Sequence, residues 1–202
     1  MTKQFHGHEL SHEALEQLFL EARSYNGWLD KDVTEDQVRK IYDLLKMGPT
    51  SANQQSARFV WCKSQDAKDK LAEHASDANK KKIKTAPVCV IIGYDIDFHE
   101  ELPWLFPHTD AKSWFEGDVE GRIEGAKRNS ALQGAYLMLA ARAIGLDCGP
   151  MSGFDADGVT KDFFADQPQY RADWICSIGY GDKESIFDRS PRPDFEKFNR
   201  ID

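Results

Sequence analysis

Apolar positions along the chain fall into a few clear periods. Residues 34–47 carry Val38, Ile41, Tyr42 and Leu45 at helical spacing behind Thr34 and Gln37, the pair of a capping box, and the run stops at Gly48 and Pro49. Leu15, Leu18 and Phe19 predict an amphipathic helix over 11–23, Ser64 caps another reaching about His74, and a further helix is expected over 156–165. One long helix is predicted from 123 to 144. Beyond Ser130 it is apolar nearly all round (Ala131, Leu132, Ala135, Leu137, Met138, Leu139), the pattern of a helix buried in a core. Arg128, Asn129 and Arg142 deny it the roughly 18 uncharged residues of a membrane span.

Strands are expected at 58–63, 87–94 and 173–179. The middle one, P-V-C-V-I-I-G-Y, is continuously apolar, as a strand covered on both faces should be. Between 95 and 121 the pattern breaks down, and Phe98, Trp104, Phe106, Trp114 and Phe115 alternate with Pro103, Pro107 and His108. Such a segment serves as a lid, a dimer contact or an irregular part of the core. Gly145 is a natural C-cap for the long helix, and residues 145–155 (G-L-D-C-G-P-M-S-G-F-D) then read as a tight loop that can turn consecutive N–H groups to a ligand, or as a plain helix-to-strand connection. The tail at 189–193, R-S-P-R-P, is held extended by its prolines.

Composition narrows the function. At 202 residues and 41% hydrophobic, with no linker, repeat or low-complexity tract, the chain is expected to form a single domain over 1–202. A net charge of −8 argues against a nucleic-acid partner, which would draw on clustered cations. The N-terminus has no apolar signal region, so a cytoplasmic location is expected, with no membrane partner. Cys62, Cys89, Cys148 and Cys176 show no disulfide spacing, and Cys62, Cys89 and Cys176 lie in apolar runs where cysteine acts as a small hydrophobe. His8 and His12, following His6, have i, i+4 spacing but no third ligand at a diagnostic distance, so no metal site is assigned.

Three polar stretches carry candidate chemistry. Residues 23–28, R-S-Y-N-G-W, set an arginine beside Ser24 and Asn26 at a helix end, able to hold a phosphate or a heterocycle edge, or simply to form a turn. T-S-A-N-Q-Q at 50–55 joins a helix to a strand and offers hydroxyls and amides to a polar ligand. N-K-K-K-I-K at 79–84 is the basic cluster of an acidic chain, either an anion site or a solvated face. No G-x-S-x-G, phosphate-binding G-x-x-x-x-G-K or H-E-x-x-H motif is present, and I-G-Y-G at 178–181 lacks the rest of a dinucleotide fingerprint. What remains is a binding constellation without a protein acid, base or nucleophile, as expected where a cofactor carries the chemistry.

Read in order, Arg23-Ser24 with Trp28, G-P-T-S-A-N at 48–53, Asn79 with Lys82, G-P-M-S-G-F at 149–154, and Arg189 with Arg192 resemble the nitroreductase-like FMN oxidoreductases. L-F-P-H, G-L-D-x-G-P-M-S-G-F-D and G-Y-G-D bring the chain nearest the malonic semialdehyde reductase branch, associated with pyrimidine degradation. The resemblance implies an α+β fold with a central, mostly antiparallel sheet wrapped by helices, and an intertwined homodimer with FMN at its interface. It implies that Arg23, Ser24 and Asn26 contact the flavin or its phosphate and that Arg189 and Arg192 bind the phosphate. Thr50, Ser51 and Asn53 would lie on the ring side and Asn79 and Lys82 at the pyrimidine edge. Pro150, Met151 and Ser152 would present the Gly153 N–H to flavin N5. Asn26, Gln55-Ser56-Ala57 and Ser152 depart from the commoner basic, Q-P-W and acidic residues there, changes that enlarge and neutralise the pocket and point away from a generic nitroaromatic preference.

The expected activity is ping-pong reduction of malonic semialdehyde to 3-hydroxypropionate with NADH or NADPH as donor. Ser152 is one candidate donor to the developing alkoxide, Arg58 and Arg128 are candidate anchors for the distal carboxylate, and Phe106 is a substrate-side candidate. A broad nitro or quinone reductase and a non-catalytic FMN module are the alternatives.

Overall fold

A computed structural model describes residues 7–202. Its centre is a four-stranded sheet in the order β1-β2-β4-β3, with β1 Ala57–Cys62, β2 Val88–Asp95, β3 Asp147–Met151 and β4 Tyr170–Gly179, every pairing antiparallel. Eight α-helices are present among the described residues: α1 His12–Leu15, α2 Glu35–Leu45, α3 Gln65–Glu73, α4 Asp77–Thr85, α5 Leu102–Leu105, α6 Val119–Ala143, α7 Ala156–Phe163 and α8 Phe195–Phe198. None is long and apolar enough to cross a membrane.

Central position explains the apolar run of β2, which is buried along its whole length. Val88, Val90 and Ile92 point to one face, where Ile41 and Leu45 of α2 and Leu137 of α6 cover them; Cys89 and Ile91 point to the other, against Leu71 of α3, Ile83 of α4 and Val159 of α7. Alternation is hidden because both faces are covered. All four cysteines are free and buried, and burial pushes the Cys62 and Cys89 thiols up to about 12, so they are packing residues rather than nucleophiles. The capping box is formed, with the Gln37 N–H donating to Thr34 Oγ1 and the Thr34 N–H to Gln37 Oε1.

Several expectations are corrected. The 145–155 loop contains β3: Gly145 (φ +79°) does end the long helix, but Asp147 to Met151 pair with β4, and Pro150 is accommodated because β3 is an edge strand that can lack one N–H. The long helix starts at Val119, capped by Asp118, and is buried on one face only. Ala131, Leu132, Ala135 and Tyr136 are exposed, so its second apolar face is open in the single chain. The first segment is a four-residue α-turn followed by a π-turn, Glu16–Leu20, with no buried residue, and it stops short of Arg23. Residues 79–84 lie inside α4, hidden from periodicity because Ile83 is their only apolar side chain. Phe98, Leu102 and Ala111 of the aromatic segment form a satellite core with Tyr94 and Ala126, while Trp104 is 75% exposed. His6 lies outside the described residues, and His12 pairs with Glu16 at 3.4 Å.

Candidate functional site

The candidate residues gather at two places, one at each edge of the sheet. At the β3 edge, residues 24 and 25 lie against the strand: Ser24 bridges Cys148, and the Tyr25 N–H donates to the Cys148 carbonyl at 3.0 Å. The C-terminal tail then folds back over 20–27. Asn26 Nδ2 donates to the Ser185 carbonyl at 3.0 Å, the Gly27 N–H to Ser185 Oγ at 2.9 Å, Arg23 to the Phe187 carbonyl and Arg189 Nη2 to the Leu20 carbonyl at 2.6 Å. Arg23 and Arg189 thus each tie the tail to residues 20–23. Arg192 stays apart, donating to Ser190 and Pro191 of its own turn.

Among the described residues, no carboxylate lies within ion-pair distance of Arg23, Arg189, Arg192 or Lys82. In a chain of net charge −8 that is an unneutralised cationic edge. The lysines of α4 divide: Lys80 pairs with Asp77 and Lys84 with Asp69, so the cluster is not a four-lysine anion site. Lys82, half-buried, is tied in through its carbonyl, which accepts from Trp28 Nε1 at 3.3 Å.

At the end of β3 the Gly153 peptide is held by its oxygen. The Ser76 N–H donates to it at 2.9 Å and Asn79 Nδ2 at 3.1 Å. A Cβ on residue 153 would stand 2.9 Å from Asn79 Nδ2 and 3.0 Å from Ser76 Oγ, so glycine is what fits. The Gly153 N–H donates to no atom among the described residues, and the residue is exposed. Ser152 is exposed beside it; Pro150, Met151, Ser152 and Trp174 line an open cavity of about 360 Å³.

The second place is the connection from α2 to β1. Ala52 (φ 48°), Asn53 (φ 49°) and Gln55 (φ 42°) are all left-handed without being glycine, a conformation costing about 1–3 kcal/mol each. Side chains hold it: the Ser51 N–H donates to Asn129 Oδ1 at 2.8 Å, the Gln55 N–H to Thr50 Oγ1 at 3.2 Å, and Asn53 Nδ2 to the Leu105 carbonyl at 2.8 Å. Arg58, expected to anchor a substrate carboxylate, is turned to this structural task. Nη1 donates to the Gln55 and Ala57 carbonyls and Nη2 meets Asp95 at 2.6 Å. Burial raises the Asp95 carboxyl above its ordinary 3.8, and Arg58 draws it part of the way back.

Arg128, the other expected anchor, is exposed on α6 and pairs with Glu124 one turn away, without contact to Arg58. Phe106 is half-buried, edge-on to Trp114 and His108, directly after the carbonyl that Asn53 holds. A cleft of about 630 Å³ opens here, with Tyr42, Asn53, Arg58, Trp61, Trp104 and Gln133 in its wall.

Three strand spacings, about 14 Å, separate the β3 edge from the β1 edge. The expected ring-side residues Thr50, Ser51 and Asn53 are therefore not brought to Gly153 within one chain. Ser76 and Gln133 were missed in the sequence. Gln133 did leave a signal, a carboxamide amid apolar neighbours on a helix; Ser76 left none beyond preceding a helix.

Residues 1–181 match the Nitroreductase family. The chain belongs to that family. A relative from Stenotrophomonas maltophilia (strain R551-3), provisionally named NADH dehydrogenase/NAD(P)H nitroreductase, is 55% identical over 194 residues, 96% of this chain and 98% of the relative. Among solved structures, a protein from Exiguobacterium sibiricum provisionally named a nitroreductase, in complex with FMN, superposes with a TM-score of 0.83 at 18% identity, covering 96% of this chain and 99% of that one. An NAD(P)H:FMN oxidoreductase from Staphylococcus epidermidis reaches 0.83 at 19% identity over 93% and 95%. At those identities the two structures establish the nitroreductase-like α+β fold, as the resemblance implied.

Proposed function

We propose that this nitroreductase-family chain is an FMN-dependent NAD(P)H oxidoreductase that works as a homodimer. The observation that carries the reading is the β3 edge, where a peptide pinned by its carbonyl leaves the Gly153 N–H without an acceptor among the described residues, and where the same edge carries arginines with no carboxylate of those residues within ion-pair distance. That donor set fits FMN. Arg23 and Arg189 would hold the phosphate, with Arg192 reaching them by rearrangement of the tail. Asn26 and Ser24 would flank it, Asn79 and Lys82 would take the pyrimidine edge, and Gly153, backed by Pro150, Met151 and Ser152, would donate to the ring. Bound FMN supplies a ring that takes hydride from a nicotinamide and passes it to a second substrate. Asn79 then has two duties, since its Nδ2 already orients the Gly153 peptide.

The homodimer is supported by the distance between the two edges and by what α6 leaves open. Leu132 and Tyr136 are 47% and 38% exposed, and Leu44 and Met47 near the end of α2 are 42% and 76% exposed. A second copy covering that face would bring Thr50, Ser51 and Asn53 of one chain toward Gly153 of the other.

For the substrate, the motif set supports malonic semialdehyde. The engagement of Arg58 and Arg128 and the aromatic cleft wall favour a second reading, reduction of a nitroarene or quinone. The test is kcat/KM of the FMN-loaded protein for malonic semialdehyde against a nitroarene, with NADH and NADPH run separately. A ratio well above one is the outcome of the first reading, and one well below one is that of the second. No bleaching of protein-bound flavin by either nicotinamide would leave only a binding module.

A further inference from the structure

A continuous chain of amides runs from the long helix to the aromatic segment. The Ala57 N–H donates to Gln133 Oε1 at 2.9 Å, Gln133 Nε2 to Gln55 Oε1 at 2.7 Å, Gln55 Nε2 to Asn53 Oδ1 at 3.0 Å, and Asn53 Nδ2 to the Leu105 carbonyl at 2.8 Å. The two ends of a carboxamide are nearly the same shape, so neighbours decide which way it lies. Here both ends of the chain are backbone groups of fixed polarity, because the Ala57 N–H can only donate and the Leu105 carbonyl can only accept. One direction satisfies all four links. Flipping any of the three side chains sets two oxygens or two N–H groups against each other.

Gln133 is 3% exposed, on the buried side of α6, where an unpaired carboxamide would be costly. Its two bonds reach a strand and a loop rather than its own helix. The loop it reaches is the left-handed stretch at Asn53 and Gln55, a conformation that persists only where the surroundings over-determine it. The last link ends on the segment that carries Trp104 and Phe106, and Asn53, Gln55, Trp104 and Leu105 all line the same cleft. In the direction fixed by the backbone, Asn53 and Gln55 each keep one N–H for an acceptor oxygen.

We propose that Gln133 is a positioning residue: through Gln55 and Asn53 it sets the polarity the strained loop presents to the cleft and pins the Trp104 segment beside it, tuning the site for substrates that bring an acceptor oxygen. The substrate clause rests on the oxidoreductase reading. The relay itself does not.

The deciding experiment is native-state hydrogen exchange at the backbone amides of Leu102, Trp104, Leu105 and Phe106 in Q133M, N53A and the double variant. Methionine keeps the volume and removes both bonds. Each single change is expected to speed exchange there about tenfold, the loss of roughly one net hydrogen bond. The double variant is expected to be no faster than the faster single one, because one chain has been cut twice. Exchange at Val90 and Ile175 should stay unchanged. Additive acceleration, or none in Q133M, overturns the relay, and neither outcome depends on FMN. If Q133M does not fold, the wild-type side-chain amide spectrum decides: distinct, slowly exchanging protons for Asn53 and Gln55 support the relay, and averaged signals overturn it. On FMN-loaded protein, ionised Q133E accepts where Gln133 donated, so Gln55 must turn its N–H to it and one link between Gln55 and the Leu105 carbonyl must break. It is expected to raise KM for the acceptor substrate about fivefold with kcat within about twofold. An unchanged KM overturns the specificity role even if the exchange result stands.

Discussion

The two edges of the sheet solve opposite problems. At the β3 edge the backbone is unstrained, the Gly153 N–H has no acceptor among the described residues, and the guanidinium groups are answered only by carbonyls. At the β1 edge three non-glycine residues are left-handed and nearly every polar side chain is engaged in holding them there. One edge is built to receive a ligand, the other to hold a shape. Arginine shows the contrast best, because Arg23 can exchange a carbonyl for a phosphate, whereas Arg58 cannot leave Asp95 without stranding a buried carboxylate.

The largest effect should come from emptying the receiving edge. If Arg23 and Arg189 hold the phosphate as proposed, replacing both by Ala removes two charge-assisted partners, about 4 kcal/mol or roughly a thousandfold in FMN affinity. The melting temperature of the FMN-free protein should hardly move, since what both residues lose is bonds to exposed carbonyls. Fluorescence titration with FMN, against thermal unfolding of the apoprotein, checks both halves. Equal loss of stability and affinity would make these arginines structural and erase the contrast.

The holding edge should respond the other way. Arg58→Met is expected to cost about 2–3 kcal/mol of stability at pH 7, because it leaves Asp95 buried and unpaired. The pH dependence has a definite sign. The folded Asp95 carboxyl already lies above its ordinary 3.8, so the folded chain binds that proton more tightly than the unfolded chain. Its contribution is present in acid and is lost as pH rises through the folded value. Without Arg58 that value climbs further, so the deficit of R58M relative to wild type should shrink between pH 7 and pH 4.5 in urea unfolding. A deficit independent of pH would mean that Arg58 acts only through the Gln55 and Ala57 carbonyls.

How far each edge was legible follows from the same contrast. Short-range signals were readable: the capping box of α2, the unbroken apolar run of β2, Gly145 at the end of the long helix. The short motifs Arg23-Ser24 and G-P-M-S-G could be picked out as well, because each keeps its residues together; the binding roles given to them rest on the proposed function. β3 was not, since Gly149 and Pro150 look like a turn until β4, more than twenty residues on, pairs with them. Helix α4 was hidden because a single apolar residue gives no period. The Gln133–Gln55 bond spans 78 residues, and no local pattern announces a partner that distant. The partner of Arg58 was hidden for the same reason: Asp95 lies 37 residues away across the sheet.

The smallest expected effect tests strain itself. Ala52, at φ 48°, makes no side-chain hydrogen bond but packs its methyl against the satellite core, so Ala52→Gly removes the steric penalty of the left-handed conformation at the cost of one half-buried methyl contact. Glycine also loosens the unfolded chain, which takes back part of the gain. The net expectation is a stabilisation of about 0.5 kcal/mol, read as an upward shift of the urea midpoint at constant slope. At the receiving edge the same kind of exchange has the opposite outcome. Gly153→Ala sets a Cβ 2.9 Å from Asn79 Nδ2, one of the two donors that fix the peptide, and 3.0 Å from Ser76 Oγ, so it should weaken FMN binding while A52G leaves binding within about twofold. If A52G weakens FMN binding as much as G153A does, the strained loop is part of the receiving surface, and the two edges act as one site across the dimer.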